Sequence, residues 1–158
     1  MKDKINSIIA RIKSVNEGEP WFGRAAFELL DEVKGPMVYN KPNQETHSLI
    51  ELLYHMITWA DFTLKRLEKN KEIDLAAAEK LDWRTIDPAV HTWEEGLKEF
   101  KQLQQAILAN LSSKDDRFLE EKVDYRNYNF EFLLQGIVDH TIYHVGQIAY
   151  IWKTFKEA

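Results

Sequence analysis

The stretch FEFLLQGIVDHTIYHVGQIAYIWKTF, from Phe130 to Phe155, decides the fold. Its apolar residues recur every three or four positions, which is the period of one buried face of an α-helix. That apolar stripe comprises Phe130, Leu133, Leu134, Ile137, Ile148, Ile151, Trp152 and Phe155. His140 and His144 fall inside the same stripe. The pattern therefore predicts a long helix that carries two histidines toward the protein interior.

The same periodicity extends toward the N-terminus and predicts three further long helices. With the first stretch, the four segments span about residues 2–33, 46–69, 88–111 and 130–155. The first is expected to break near residues 17–20, because Pro20 suits the first turn of a restarted helix. The second opens at Thr46 or Ser48 as cap, with Glu51 in its first turn. The third is expected to begin at Pro88.

The connection between the second and third helices is the longest in the chain and spans residues 70–88. It contains a short predicted helix, Leu75 to Leu81, followed by the pair Asp82-Trp83. A connection of this length allows the third helix to run parallel to the second. With a polar stretch at residues 114–129 and no convincing strand pattern, the sequence predicts an all-α four-helix bundle.

Length and composition restrict the class of protein. The 158 residues predict one domain over residues 1–158, and the net charge of -5, with 21 basic residues scattered among 26 acidic ones, argues against nucleic acid as a partner. No segment approaches roughly 18 uncharged apolar residues, so no membrane span is predicted. We expect a complete, cytoplasmic protein. The absence of cysteine excludes disulfides, thiolate ligands and a cysteine nucleophile.

His140 and His144 have the spacing of a metal-binding pair. Residues four apart on a helix lie about 6 Å apart along its axis and about 40° apart in direction, so both rings can reach one ion. His55 is the candidate third ligand, because it shares the buried face of the second helix with Leu52, Met56, Trp59 and Phe62. A single buried histidine is usually a hydrogen-bonded core residue, but three together favour a divalent cation, which satisfies all of them.

The two other histidines are interpreted differently. His47 lies eight residues before His55, about 12 Å along the helix and about 80° around it, and so cannot share the metal. We interpret it as a surface histidine, with a role at the mouth of the site or in capping as the alternative. His91, in the first turn of the predicted third helix, has no identifiable partner and is interpreted as structural.

Several residues are candidates to orient the ligands or to line the pocket. Three carboxylates qualify on spacing alone: Glu51, Asp61 and Asp139. Gln147, three residues beyond His144, can bond to a metal ligand or to a water on the metal, and an ordinary helix-packing amide is the alternative. Tyr143 and Trp59 are further candidates for residues around the ligands. No catalytic acid or base is identified.

The segment from Gly136 to Ile148, GIVDHTIYHVGQI, resembles the H-x-x-Y-H-x-G-Q-I signature of the DinB/YfiT-like superfamily. The second helix, HSLIELLYHMITWADFTLKRL, is similar to the family segment in which the first metal-binding histidine precedes a tryptophan, here His55 and Trp59. GEPWFGRA, the Asp82-Trp83 pair and TWEEGLKEF also resemble family segments. The similarity covers nearly the whole chain in the expected order. The DNA polymerase of the same name is unrelated.

The resemblance implies a four-helix bundle connected up-down-down-up, one Ni²⁺ or Zn²⁺ ion held by His55, His140 and His144, and commonly a homodimer. Some relatives are transferases that use a low-molecular-weight thiol, so we expect a small-molecule substrate and a metal-dependent thiol transferase. Three protein ligands leave a metal position open for such a molecule. A metal-dependent hydrolase is the second hypothesis. The third is a non-catalytic metal-binding protein that serves stress-related binding or dimerisation.

Overall fold

A computed structural model describes residues 1–157, and helices dominate this range, as the apolar periodicity predicts. The α-helices are α1 (Asp3–Glu17), α2 (Ala26–Asp31), α3 (Leu49–Leu67), α4 (Leu75–Leu81), α5 (Trp93–Ser112) and α6 (Phe130–Glu157). Two short 3₁₀ helices cover Pro36–Tyr39 and Asp116–Glu120. The described range contains no strand, only an isolated bridge between Lys122 and Asn129. No described helix combines the length and apolar composition needed to cross a lipid bilayer.

Capping side chains explain where two of the long helices begin. Ser48 precedes α3 and forms a capping box with Glu51, in which each side chain bonds to the backbone of the other. Of the two predicted caps, the structure therefore uses Ser48. Thr92 caps α5 by accepting a hydrogen bond from the backbone of Glu95. The predicted start of this helix at Pro88 is wrong, because a turn closes across residues 87–91 before Thr92 can act as the cap.

The first helical segment breaks where the sequence predicts, but it restarts later than expected. α1 ends at Glu17, and α2 begins only at Ala26. A turn in which the backbone of Gly23 donates to the carbonyl of Pro20 occupies the interval. Pro20 therefore belongs to this turn and does not open the second helix. Gly23 adopts a φ of 133°, a conformation that favours glycine.

The four long helices pack around a shared apolar core. Both α1 and α3 contact α5 and α6. The core between them includes Ile5, Ile12, Leu53, Ile57, Phe100, Ile107, Leu134 and Ile148. Ion pairs join Lys4 to Glu131 and Arg11 to Asp139, and so link α1 to α6 at two points that lie about two turns apart on each helix. The predicted apolar stripe of α6 is confirmed, since most of its members are buried.

α3 and α5 approach each other closely at Gly96. A Cβ atom added there would lie 2.9 Å from Cε2 of Tyr54 and 3.0 Å from Cδ2 of Leu53. Both neighbours are buried, Leu53 at 0% and Tyr54 at 5% relative exposure, so neither can move without disturbing the core. Gly96 thus allows the first turn of α5 to touch the second turn of α3.

We predict that Gly96→Ala lowers the free energy of unfolding by about 1–3 kcal/mol, because the new methyl group overpacks the contact with Tyr54. Chemical denaturation measures the change. Gly136→Ala and Gly146→Ala are matched controls on α6, where an added Cβ meets nothing within 4 Å. Each control should raise stability by up to about 1 kcal/mol through helix propensity. A Gly96→Ala protein as stable as these controls contradicts the prediction.

Candidate metal centre

α3 and α6 bring three imidazole rings together. His140 and His144 lie one turn apart on α6, and His55 faces them from α3. The ring centroids lie 4.9 Å apart for His55 and His140, and 4.6 Å apart for His55 and His144. The two rings on α6 are 4.4 Å apart. One nitrogen from each ring lies within 4.8 Å of the other two. The structure thus assembles the three histidines that the sequence singles out.

Asp82 fixes the orientation of His55. It follows the last residue of α4 and accepts a short hydrogen bond from Nδ1 of His55. Its Oδ1 also accepts from the backbone nitrogen of Trp83 at 3.1 Å. Because a carboxylate accepts, Nδ1 carries the proton and the lone pair of His55 lies on Nε2, 2.9 Å from Nε2 of His140. A carboxylate behind the far nitrogen is typical of metal-binding histidines.

Gln147 acts in the same way on His144. Its Oε1 lies 2.7 Å from Nδ1 of His144, one turn earlier on α6. The amide oxygen accepts this hydrogen bond, so Nδ1 of His144 carries the proton and Nε2 keeps the lone pair. His55 and His144 therefore both present the lone pair of Nε2, which can bind a metal ion.

His140 has no such partner. Its Nδ1 is buried and makes no hydrogen bond within the described residues. Its Nε2 contacts only the ring nitrogen of His55, where a single shared proton is all that can join the two. An unsatisfied buried polar atom costs about 1–3 kcal/mol. His140 is thus the least satisfied member of the cluster.

The surroundings keep all three imidazoles neutral at pH 7. Burial, to which His144 and His55 add, lowers the pKa of His140 to about 3. Burial also lowers the pKa of His55, against the opposing effect of Asp82. It lowers the pKa of His144 against the opposing hydrogen bond with Gln147. Neutral imidazole is the form that binds metal ions, so the three rings need no net loss of protons when a cation enters.

This donor set fits a divalent cation. Two nitrogens bound to one tetrahedral ion at about 2.0–2.1 Å are about 3.3 Å apart. The 2.9 Å between the Nε2 atoms of His55 and His140 is close to that separation. A cation would also replace the single contact on which His140 now depends. Imidazole nitrogen suits both nickel and zinc, so the ligands alone do not select between these metals.

The family comparison agrees with the resemblance seen in the sequence. The family model described as the DinB superfamily matches residues 23–148, a range that includes Asp82 and all three clustered histidines. The chain belongs to the DinB superfamily. No curated protein and no solved structure matches it with significance. The DinB superfamily is metal-binding, and the three-histidine group of this member is a group that could hold an ion.

In this DinB superfamily protein a tryptophan covers one side of the cluster. The ring of Trp83 stacks between His47, at 3.6 Å, and His55, at 3.9 Å, with the planes nearly parallel. The backbone of Trp83 has a φ of 46°, which is rare for a bulky residue. His47 is exposed, in line with its interpretation as a surface histidine, and through this stack it lies at the outer edge of the site.

The remaining candidates lie outside the cluster or at its border. Tyr143 is exposed at 64%, although its ring meets that of His144 at 4.9 Å. Trp59 is half-buried and lines a groove together with His140. His91 precedes α5, and its Nδ1 accepts from the backbone of Asp87, a structural contact.

Spacing on the helices misidentified the carboxylate partner. Glu51 belongs to the cap of α3, Asp61 lies near Lys65, and Asp139 pairs with Arg11 on the surface. Asp82 occupies the position instead, 27 residues after His55 in the chain. The sequence contained one signal for it, the Asp82-Trp83 pair, which resembles a family segment but indicates no contact by itself.

We predict that Asp82→Asn weakens Zn²⁺ binding by about 10- to 100-fold, because the His55 ring loses its charged partner. Competition with a chromophoric chelator measures the dissociation constant. Asp139→Asn is the matched control, since this carboxylate is adjacent to His140 in sequence but bonds to Arg11. Equal affinities for the two variants would show that Asp82 has no influence on the metal.

Proposed function

We propose that this DinB superfamily protein is a metal-dependent transferase that uses a low-molecular-weight thiol, with His55, His140 and His144 as ligands of one Ni²⁺ or Zn²⁺ ion. The observation that carries the proposal is the convergence of three neutral imidazoles, two of them held by hydrogen bonds at the far nitrogen. Three protein ligands leave at least one position for a small molecule, as in catalytic metal sites.

A divalent ion held by these histidines would stabilise a thiol as its thiolate and so supply a nucleophile at neutral pH. Neighbouring residues of the chain orient the histidine ligands and limit their contact with water. Asp82 and Gln147 hold two of the rings, and Trp83 shields one face of His55 from water. Because the chain contains no cysteine, the reacting sulfur has to come from a cosubstrate.

The surroundings of the cluster favour this reaction over the hydrolysis considered from the sequence. A metal-dependent hydrolase generally places a base beside the attacking water. Among the described residues, the group of candidate ligands contains histidines alone. The carboxylate that does contact the cluster, Asp82, is already bonded to His55. Its Oδ1 accepts from both His55 and the backbone of Trp83, so in this structure it serves to orient a ligand.

The proposal includes the up-down-down-up helix order and the homodimer that the resemblance implies. Two observations support the helix order. The two ion pairs between α1 and α6 advance along both helices in the same order, which fits helices that run in the same direction. The approach of Gly96 to Tyr54 joins the first turn of α5 to the second turn of α3, as expected for parallel helices. A single domain over residues 1–158 and a cytoplasmic location stay predictions.

The metal site is tested by metal analysis of the purified protein. We expect about one divalent ion per chain in the wild type and a large loss in His144→Ala, which removes a ligand. His91→Ala is the matched control, because this histidine lies outside the cluster and bonds to the backbone of Asp87. Undiminished metal in His144→Ala, measured by mass spectrometry, would rule out the proposed ligand set.

The transfer reaction is tested with metal-loaded protein, a panel of low-molecular-weight thiols and a chromogenic aryl halide as electrophile. We expect product formation that requires the ion, and a rate near background for His144→Ala. Equal rates for loaded and metal-free wild-type protein would contradict the transferase. If the protein holds metal yet accelerates no transfer, the result favours the two other hypotheses, the hydrolase and the non-catalytic metal-binding protein.

A further inference from the structure

An aromatic groove lies beside the histidine cluster. It has a volume of about 140 Å³ and is walled by Trp59, Phe62, Tyr128, Phe132, Gly136 and His140, with further apolar residues. We call it the aromatic groove. Its walls are mainly apolar, and His140 is the lining residue that belongs to the cluster. Binding sites for small molecules commonly combine such apolar walls with a few placed polar groups.

The groove runs from the cluster toward the segment that precedes α6. Phe132 and His140, both in its wall, are eight residues apart on α6, which corresponds to about 12 Å along the helix. On the opposite side, Trp59 follows His55 by one turn of α3. A molecule in the groove can therefore touch His140 at one end while its other end lies near Tyr128.

An arginine without a counter-ion borders that far end. The guanidinium of Arg126 lies 5.6 Å from the ring of Trp59, 5.5 Å from that of Phe62 and 5.8 Å from that of Tyr128. All three rings belong to the groove. The Nε of Arg126 is buried and makes no hydrogen bond, and no carboxylate within residues 1–157 pairs with this side chain.

A hairpin holds Arg126 in place. The backbone of Val123 donates to the carbonyl of Tyr128, and that of Arg126 donates to the carbonyl of Val123. Tyr125, in the turn between them, has a φ of 66°, and its hydroxyl donates to the carbonyl of Lys71. These bonds fix the backbone of the turn, and three aromatic rings lie around the guanidinium of Arg126.

The nearby Arg66 shows what an arginine with a structural role looks like here. It is buried at 1% exposure and also lies over the ring of Phe62. Its Nη2, however, donates to the carbonyls of Asn70 and Ile73, which follow the end of α3. These bonds satisfy Nη2 of Arg66, whereas its Nε and Nη1 are buried without a partner, as is Nε of Arg126. Arg126 makes no comparable bond within the described chain.

We propose that the aromatic groove binds a small molecule with a flat apolar body and a single carboxylate, which pairs with Arg126 while the opposite end of the molecule reaches His140. The one guanidinium beside these aromatic rings neutralises one negative charge, so a monoanion fits better than a phosphate dianion. The planar fork of arginine matches a carboxylate. This inference names the substrate class of the metal site and in that respect rests on the proposed function.

The test compares two probes that differ in charge, 4-phenylbutyrate and its neutral amide, by calorimetric titration of metal-free and Zn²⁺-loaded protein. We expect wild-type protein to prefer the acid. Arg126→Gln should weaken binding of the acid by about tenfold or more and leave the amide unchanged, because a charge-assisted hydrogen bond is lost. Arg126→Lys should keep part of the preference. Arg117→Gln, on an exposed arginine paired with Asp115, is the matched control.

A second pair of variants tests the location. Gly136→Leu places a side chain in the groove, whereas Gly146→Leu, on the same helix, places it elsewhere, and an added Cβ meets nothing within 4 Å at either position. We expect the first variant to abolish binding of the acid and the second to leave it unchanged. Equal binding by both variants overturns the location. The proposal is also overturned if a second copy of the chain fills the groove. In that case sedimentation would show a wild-type dimer, and Gly136→Leu would dissociate it.

The two proposals fail in different ways. Arg126 and the aromatic walls need no ion, so Arg126-dependent binding of the acid to metal-free protein supports this inference even if no metal site exists. A protein that holds one ion but binds acid and amide with equal affinity contradicts the carboxylate proposal alone.

Discussion

The burial of three imidazoles against one another is the constraint around which this protein is arranged. Each ring has two nitrogens, and a nitrogen that loses water without gaining a partner costs about 1–3 kcal/mol. The chain meets this demand at the far nitrogens of His55 and His144: the connection after α4 provides Asp82 for His55, and α6 provides Gln147 for His144. The site therefore forms only when the long connection is folded against the helices. Local helix formation cannot build it alone.

The same connection explains the strained tryptophan next to Asp82. Trp83 follows the carboxylate directly and adopts the left-handed conformation, which costs a bulky residue free energy. Two stacking contacts and a hydrogen bond from its own backbone to Asp82 offset that cost. The turn thus points two side chains at one histidine, the carboxylate at Nδ1 and the indole at the ring face. The turn at Asp82 and Trp83 therefore both orients the ring of His55 and shields it from water.

The sequence predicted correctly those features that depend on residues close together in the chain. The period of the apolar residues gave the long helices, the segment Leu75–Leu81 was predicted with its bounds, and the spacing of His140 and His144 placed both on the interior face of one helix. The start of α5 was misplaced, because Pro88 and Thr92 both favour a helix start and only the turn at residues 87–91 decides between them. This error concerns the end of a helix, where several residues that favour a helix start lie close together in the sequence.

The partners of the site were harder to predict, for a physical reason. Gln147 is one turn from His144 on the same helix, so spacing could nominate it. Asp82 and Arg126 lie in connections, and their positions depend on how these segments fold back onto α3. No periodicity links such residues to His55 or to Trp59. Tertiary packing alone brings them together, and a single sequence carries little information about it.

The cluster is protected unequally, and this asymmetry limits how a ligand can approach. The stacked ring of Trp83 occupies one face of His55, and the far nitrogens of His55 and His144 are taken by Asp82 and Gln147. In His140, by contrast, no tryptophan stacks on the ring and Nδ1 makes no hydrogen bond. This histidine is also the one that lines the aromatic groove. A small molecule that reaches the cluster past His140 has to displace no hydrogen bond of the protein. Approach past Trp83 would break the stack that holds the turn. The groove is therefore the route of lower cost, and its walls, rather than the three ligands, determine which molecules arrive.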